Sequence, residues 1–102
     1  MERERDIERK LKAEVEKKRG VCWKFISSVS GVPDRLCLVP FGELVFVELK
    51  RHGAKPRPLQ IRQIKKIRKL GFRVEVIDSE QGIQELIGSI GAENKKEDYE
   101  NV

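Results

Sequence analysis

The chain has one histidine and two cysteines in 102 residues, and no long apolar run. Cys22 and Cys37 show neither a CxxC step nor a Cys/His spacing, which argues against a zinc framework or a disulfide scaffold and leaves two small core residues suited to a reducing compartment. His52 has no second histidine to work with and reads as a loop residue. No apolar stretch approaches the roughly 20 residues that span a bilayer, and the opening "MERERDIERK" is charged throughout, unlike a signal peptide. The expectation is a soluble intracellular protein with no membrane partner. No internal repeat is visible.

The length, 102 residues, allows one domain with a modest core. Lys and Arg number 22 against 17 Asp and Glu, a net charge of +5. That balance favours an anionic partner such as nucleic acid without demanding one.

In "RDIERKLKAEVEKKRG", Ile7, Leu11 and Val15 recur at steps of four, an apolar stripe on a charged helix that stops at Gly20. "VCWKFIS" alternates as a strand does. "DRLCLV" and "ELVFVELK" form two antiparallel strands reversing at Pro40 and Gly42, after Pro33 has forced Val32 to be extended. Ile61, Ile64, Ile67 and Leu70 repeat at steps of three, predicting a helix from Pro58 to Gly71. "FRVEVID" predicts a strand, and Ser79 caps a last helix carrying Ile83, Leu86, Ile87 and Ile90. The order is α-β-β-β-α-β with a closing helix, a mixed α/β arrangement over residues 1–90. Residues 91–102 have little to bury and read as a flexible tail.

The strand "ELVFVELK" places Leu44, Phe46, Glu48 and Lys50 on one face and Val45, Val47 and Leu49 on the other. A strand apolar on both faces is normally covered on both, so Glu48 and Lys50 need partners there. A three-residue loop from Phe41 to Glu43 would pair Pro40 with Leu44 and Asp34 with Lys50, bringing Asp34 onto the face of Glu48 and diagonal to it. A two-residue loop would turn it away. Two carboxylates meeting at a strand end suit Mg²⁺, and the Leu49 carbonyl can add an oxygen. Lys50 beside them can orient or help deprotonate a water and stabilise charge on a phosphate, the parts of phosphodiester hydrolysis. The plain alternative is an Asp34–Lys50 salt bridge, since a short D…ExK pattern often matches by accident.

Gln60 falls at the middle of the apolar face of the second helix. It is either a boundary amide satisfied by a loop, or an amide that positions Lys50, a metal-bound water or a phosphate. On the first helix, Glu4 and Glu8 both lie on or beside the apolar stripe, so either can reach the site or remain a solvated charge.

Together, "GVPDR", "VFVELK", the following "PLQ" and "LGFRVEVID" resemble the VRR-NUC domain, the virus-type replication-repair nuclease branch of the PD-(D/E)xK superfamily. The resemblance runs from the "DIERKL" helix to about Ile90. It implies a restriction-endonuclease-like core with a mixed sheet flanked by helices. It also implies Asp34 and Glu48 as metal ligands, Lys50 as catalytic lysine, and a site role for Gln60. Glu8 fits the helix acid of related junction resolvases better than Glu4. Similar stand-alone enzymes are homodimers acting on branched DNA such as four-way junctions. The expected activity is therefore a Mg²⁺-dependent DNA endonuclease, with Mn²⁺ as a substitute, in the cytoplasm of a bacterial or phage-infected cell.

Arg51, Lys55 and Arg57 follow the catalytic strand and are expected to contact phosphates. The cations of the second helix, Arg62, Lys65, Lys66, Arg68 and Lys69, make a lesser claim. The competing readings are a non-catalytic nucleic-acid-binding module of the same fold, and an assembly subunit that uses the hairpin as a structural edge.

Overall fold

The computed structural model describes residues 3–90. The expected tail, 91–102, lies outside the described residues. Helix α1 spans Glu4–Lys17 and buries Ile7, Leu11 and Val15 completely. Each buried side chain of this kind contributes about 1.5–3 kcal/mol. The chain then runs close beneath β2: a Cβ on Gly20 would lie 2.6 Å from the Leu38 carbonyl oxygen, so only glycine passes there.

Strands β1 (Val21–Lys24), β2 (Arg35–Val39), β3 (Glu43–Leu49) and β4 (Arg73–Ile77) form one sheet in the order β1-β2-β3-β4. The first two pairings are antiparallel and the third is parallel. Helix α2 (Pro58–Lys69) makes the crossover between the parallel strands, and α3 (Glu80–Ser89) follows β4. Ser79 caps α3 by accepting the Gly82 N–H at 3.1 Å. The mixed α/β architecture expected from the sequence is the one observed.

The pleat sorts side chains between two unequal faces. Cys22, Cys37, Val39, Val45, Val47, Leu49 and Ile77 join α1 and α3 in a single buried core. The opposite face carries Trp23, Leu36, Phe46, Phe72 and Val74, with Phe46 meeting Phe25 and Phe72 edge to face. There α2 covers β4, burying Ile64 and Val74, while Trp23 and Phe72 remain half exposed. The expectation that β3 is fully covered on both sides therefore holds on the α1/α3 side only.

The hairpin register also differs from expectation. A three-residue turn does join β2 to β3, but it is Pro40–Gly42, and Val39 pairs with Glu43. Proline has no N–H to give to a ladder and so starts the turn instead of ending the strand. Phe41 and Gly42 complete the reversal with φ of 71° and 78°. The odd loop length preserves the side-chain phase, while the register moves by two residues. Asp34 is thereby aligned with Glu48 and not with Lys50.

Candidate active site

The candidate site lies at the end of the sheet where β1 and β3 stop and β2 begins. Asp34 immediately precedes β2, and its carbonyl accepts the Phe25 N–H at 2.8 Å. Since Arg35 pairs with Val47, Asp34 falls opposite Glu48, and both acids project toward the α2 side of the sheet.

Glu48 is 5% exposed. Its Oε2 lies 3.4 Å from Lys50 Nζ and accepts a hydrogen bond from Gln60 Nε2 at 3.0 Å. Burial pushes the Glu48 pKa up, and the charge of Asp34 pushes it further; Lys50 pulls the other way, and Glu4 adds a smaller upward push. Asp34 has a complementary signature. Its Oδ2 is 3.2 Å from Arg35 Nη1, whereas its Oδ1 is buried with no hydrogen-bond partner among the described residues. One acid resists ionisation and the other holds an unused oxygen.

Gln60 is placed by α2 and by the loop before β2. Its Oε1 accepts the Arg57 N–H at 2.8 Å, closing the first turn of the helix, while its amide nitrogen reaches Glu48. Gly31 seats this turn. It has φ +86°, and a Cβ there would come 2.8 Å from the Leu59 carbonyl oxygen. A cavity of about 230 Å³ beside it is lined by Ser30, Gly31, Arg57, Leu59 and Gln60.

The two α1 acids stand differently toward the pair. Glu8 is ion-paired with Arg35, which also hydrogen-bonds the Asp34 carbonyl at 3.0 Å. Glu8 therefore reaches Asp34 through a guanidinium, while the charge of Glu4 gives only the small upward push at Glu48. Arg35 is the residue that sequence reasoning missed. An arginine in phase with Cys37 and Val39, on the buried face of β2, was the available signal.

Leu49 is buried at the end of β3, between Glu48 and Lys50. Arg51, Lys55 and Arg57 are exposed along the connection from β3 to α2. On α2, Arg68 is committed to the fold: Nη2 and Nε hydrogen-bond the Val74 carbonyl at 2.6 and 3.1 Å.

No group of three or more His, Cys, Asp or Glu able to hold a metal forms among the described residues. The pair Asp34 and Glu48 nevertheless fits a hard cation that takes one or two carboxylates and keeps several waters.

This arrangement defines a nuclease-type α/β domain with a D…ExK hairpin. No protein-family model matches the sequence. The chain is 46% identical over 79 residues to "Putative nuclease p44" of Acyrthosiphon pisum secondary endosymbiont phage 1, covering 76% of this chain and 85% of that one. A solved structure described as a VRR_NUC domain superposes with a TM-score of 0.80 at 32% identity, over 86% of this chain and 97% of its own. The chain belongs to the VRR-NUC family.

Proposed function

We propose that this protein is a Mg²⁺-dependent DNA endonuclease, with Mn²⁺ as an alternative ion. The observation that carries the reading is the Asp34–Glu48 pair, whose acids share a sheet end and a face, one with an orphaned buried oxygen and the other pushed toward its protonated form by burial and by its neighbour. Asp34, Glu48 and the Leu49 carbonyl would hold the ion. When bound, the ion supplies charge neutralisation at the phosphate and a more acidic water.

The chain's own groups then have definable tasks. Lys50, 3.4 Å from Glu48, directs N–H donors at a water or at the developing negative charge of the phosphodiester. Gln60, bonded to the same Oε2 that Lys50 approaches, fixes the rotamer of Glu48. Arg35, paired with Glu8, holds one oxygen of Asp34 and leaves the other, buried oxygen unpaired for the ion. The exposed Arg51, Lys55 and Arg57 supply phosphate contacts as the strand passes the α2 side.

Two further features belong to the same reading. The half-covered sheet face bearing Trp23 and Phe72, together with the exposed Leu70, supports association of two copies about a two-fold axis. Paired sites of that kind suit branched DNA, including four-way junctions. Incubation of the purified chain with labelled linear, flapped and four-way DNAs, in Mg²⁺, Mn²⁺ or EDTA, tests the whole reading. Cleavage of branched DNA only with a divalent ion is the expected result; cleavage in EDTA, or none under any condition, rejects it.

A further inference from the structure

Helix α1 carries two kinds of cation. Taking ~100° per residue, Arg5, Arg9 and Lys12 lie with Glu8 and Glu16 in one arc on the flank beside β1, Glu16 standing outside the cavity described below, while Lys10 and Lys17 lie on the other flank. The second pair is neutralised, since Lys10 bonds Glu80 at 3.1 Å and Lys17 bonds Glu14 at 3.0 Å. On the β1 flank, Arg5, Arg9, Lys12 and also Lys24 of β1 have no ion-pair partner among the described residues.

These four cations surround one cavity. It has a volume of about 380 Å³ and is lined by Arg5, Glu8, Arg9, Lys12, Cys22, Lys24 and Arg35. Glu8 is the one carboxylate in this lining, and it is already claimed by Arg35, so the lining carries a positive excess. Arg35 itself is 7% exposed, and its Nε is buried without a partner. Cys22 is pulled to a lower pKa by a hydrogen bond with Cys37 and then by Arg35 and Lys12, against burial and Glu8.

The position of the cavity matters as much as its sign. Lys24 pairs with Arg35 at the sheet end where Asp34 and Glu48 stand, but their side chains face the α1 side of the sheet. Arg35 bridges the two locations through Glu8 in the cavity wall and Asp34 at the acidic pair. A ligand in the cavity is therefore one guanidinium away from the candidate active site, around the end of the sheet.

We propose that this cleft between α1 and β1 is a second phosphate site, holding a backbone phosphate of the DNA other than the one cleaved. The inference rests on the nuclease reading for the identity of the ligand. It adds an anchoring site on α1, a part of the molecule to which the D…ExK hairpin makes no reference. The bland reading, in which surface cations merely keep a helix hydrated, does not account for four unpaired charges converging on one cavity while their neighbours on the same helix are matched.

The test is DNA binding by the full-length chain in EDTA, where cleavage plays no part. The double variant Arg9→Ala/Lys12→Ala is compared with Lys10→Ala/Lys17→Ala, which removes the same charge from the opposite flank of the same helix. The cavity variant is expected to bind roughly tenfold more weakly, and the slope of log K against log salt should fall in magnitude by about one, for the one phosphate that the cleft no longer neutralises. The control variant should change affinity less than about twofold with an unaltered slope. Relief of repulsion should leave the melting temperature of the cavity variant equal to wild type or higher, which separates lost binding from lost folding. Equal losses in both variants, or no loss in either, would overturn the proposal. Wild-type chain that binds DNA but never cleaves it would sink the nuclease reading while leaving this site standing. A wild-type chain without salt-sensitive DNA binding defeats both.

Discussion

Gln60 and Glu48, twelve residues apart in sequence, are joined by a 3.0 Å hydrogen bond that ties the first turn of α2 to the end of β3. The amide is used at both ends, because its oxygen holds the Arg57 N–H. Gln60→Ala is therefore expected to lower divalent-dependent cleavage about 10- to 100-fold, the usual cost of losing a group that orients a metal-binding side chain. Gln60→Glu should be worse, since it sets a second carboxylate against a buried one. Cleavage rates titrated over metal concentration check this; an unchanged metal requirement in both variants contradicts it.

Lys50 has two expected roles, which two variants separate. Lys50→Ala should reduce cleavage by at least about 10²-fold while DNA affinity in EDTA stays within about twofold of wild type. It also leaves Glu48 buried without its ion-pair partner, a change of the kind that costs about 3–5 kcal/mol. Adding Glu48→Gln to Lys50→Ala should recover most of the lost stability and none of the activity. Urea melts alongside cleavage assays distinguish the two effects.

The raised pKa of Glu48 sets a direction for pH dependence in the ion-free protein. Because the folded pKa lies above the unfolded one, the contribution of this group to stability is fully present below the ordinary glutamate value of 4.5 and is lost as pH rises through the folded pKa. Glu48→Gln, which cannot ionise, should thus gain on wild type as pH increases when melts are run in EDTA. Magnesium should reverse the order by stabilising wild type alone, by about 2.7 kcal/mol at a hundredfold excess over Kd. Identical pH profiles for the two proteins would contradict the assignment.

Arg35 supports the acids from the core side. Removing it by Arg35→Met leaves Glu8 and Asp34 without their cation; because both carboxylates are partly open to solvent, the expected loss is on the order of 1 kcal/mol. Arg35→Lys retains the charge but cannot reach both carboxylates with one planar fork, so it should fall between Met and wild type. Chemical denaturation of the series measures this, and a fully stable Arg35→Met would show the ion pairs to be incidental.

Much of this was legible in the chain of residues alone. The stripe of Ile7, Leu11 and Val15, the alternation in β3 and the caps at Pro58 and Ser79 are local signals, and local signals survive in the fold. The hairpin phase was legible too, but its register was not, because it depends on whether Pro40 ends a strand or starts a turn. Arg35 escaped notice because its reason for being buried is Glu8 on a different element. The unmatched flank of α1 was equally hidden: a helix rich in both signs looks uniform in sequence until the partners Glu14 and Glu80 are assigned in space.

The pairing of β2 with β3 has a consequence for the order in which the molecule assembles. The two acids are set opposite each other by neighbouring strands joined through three turn residues, among the least demanding loops to close. Gln60 arrives only with the long parallel connection to β4. During synthesis and folding the acidic pair should thus be laid down early and remain idle until the crossover docks, so amide exchange should protect the hairpin ahead of the first turn of α2.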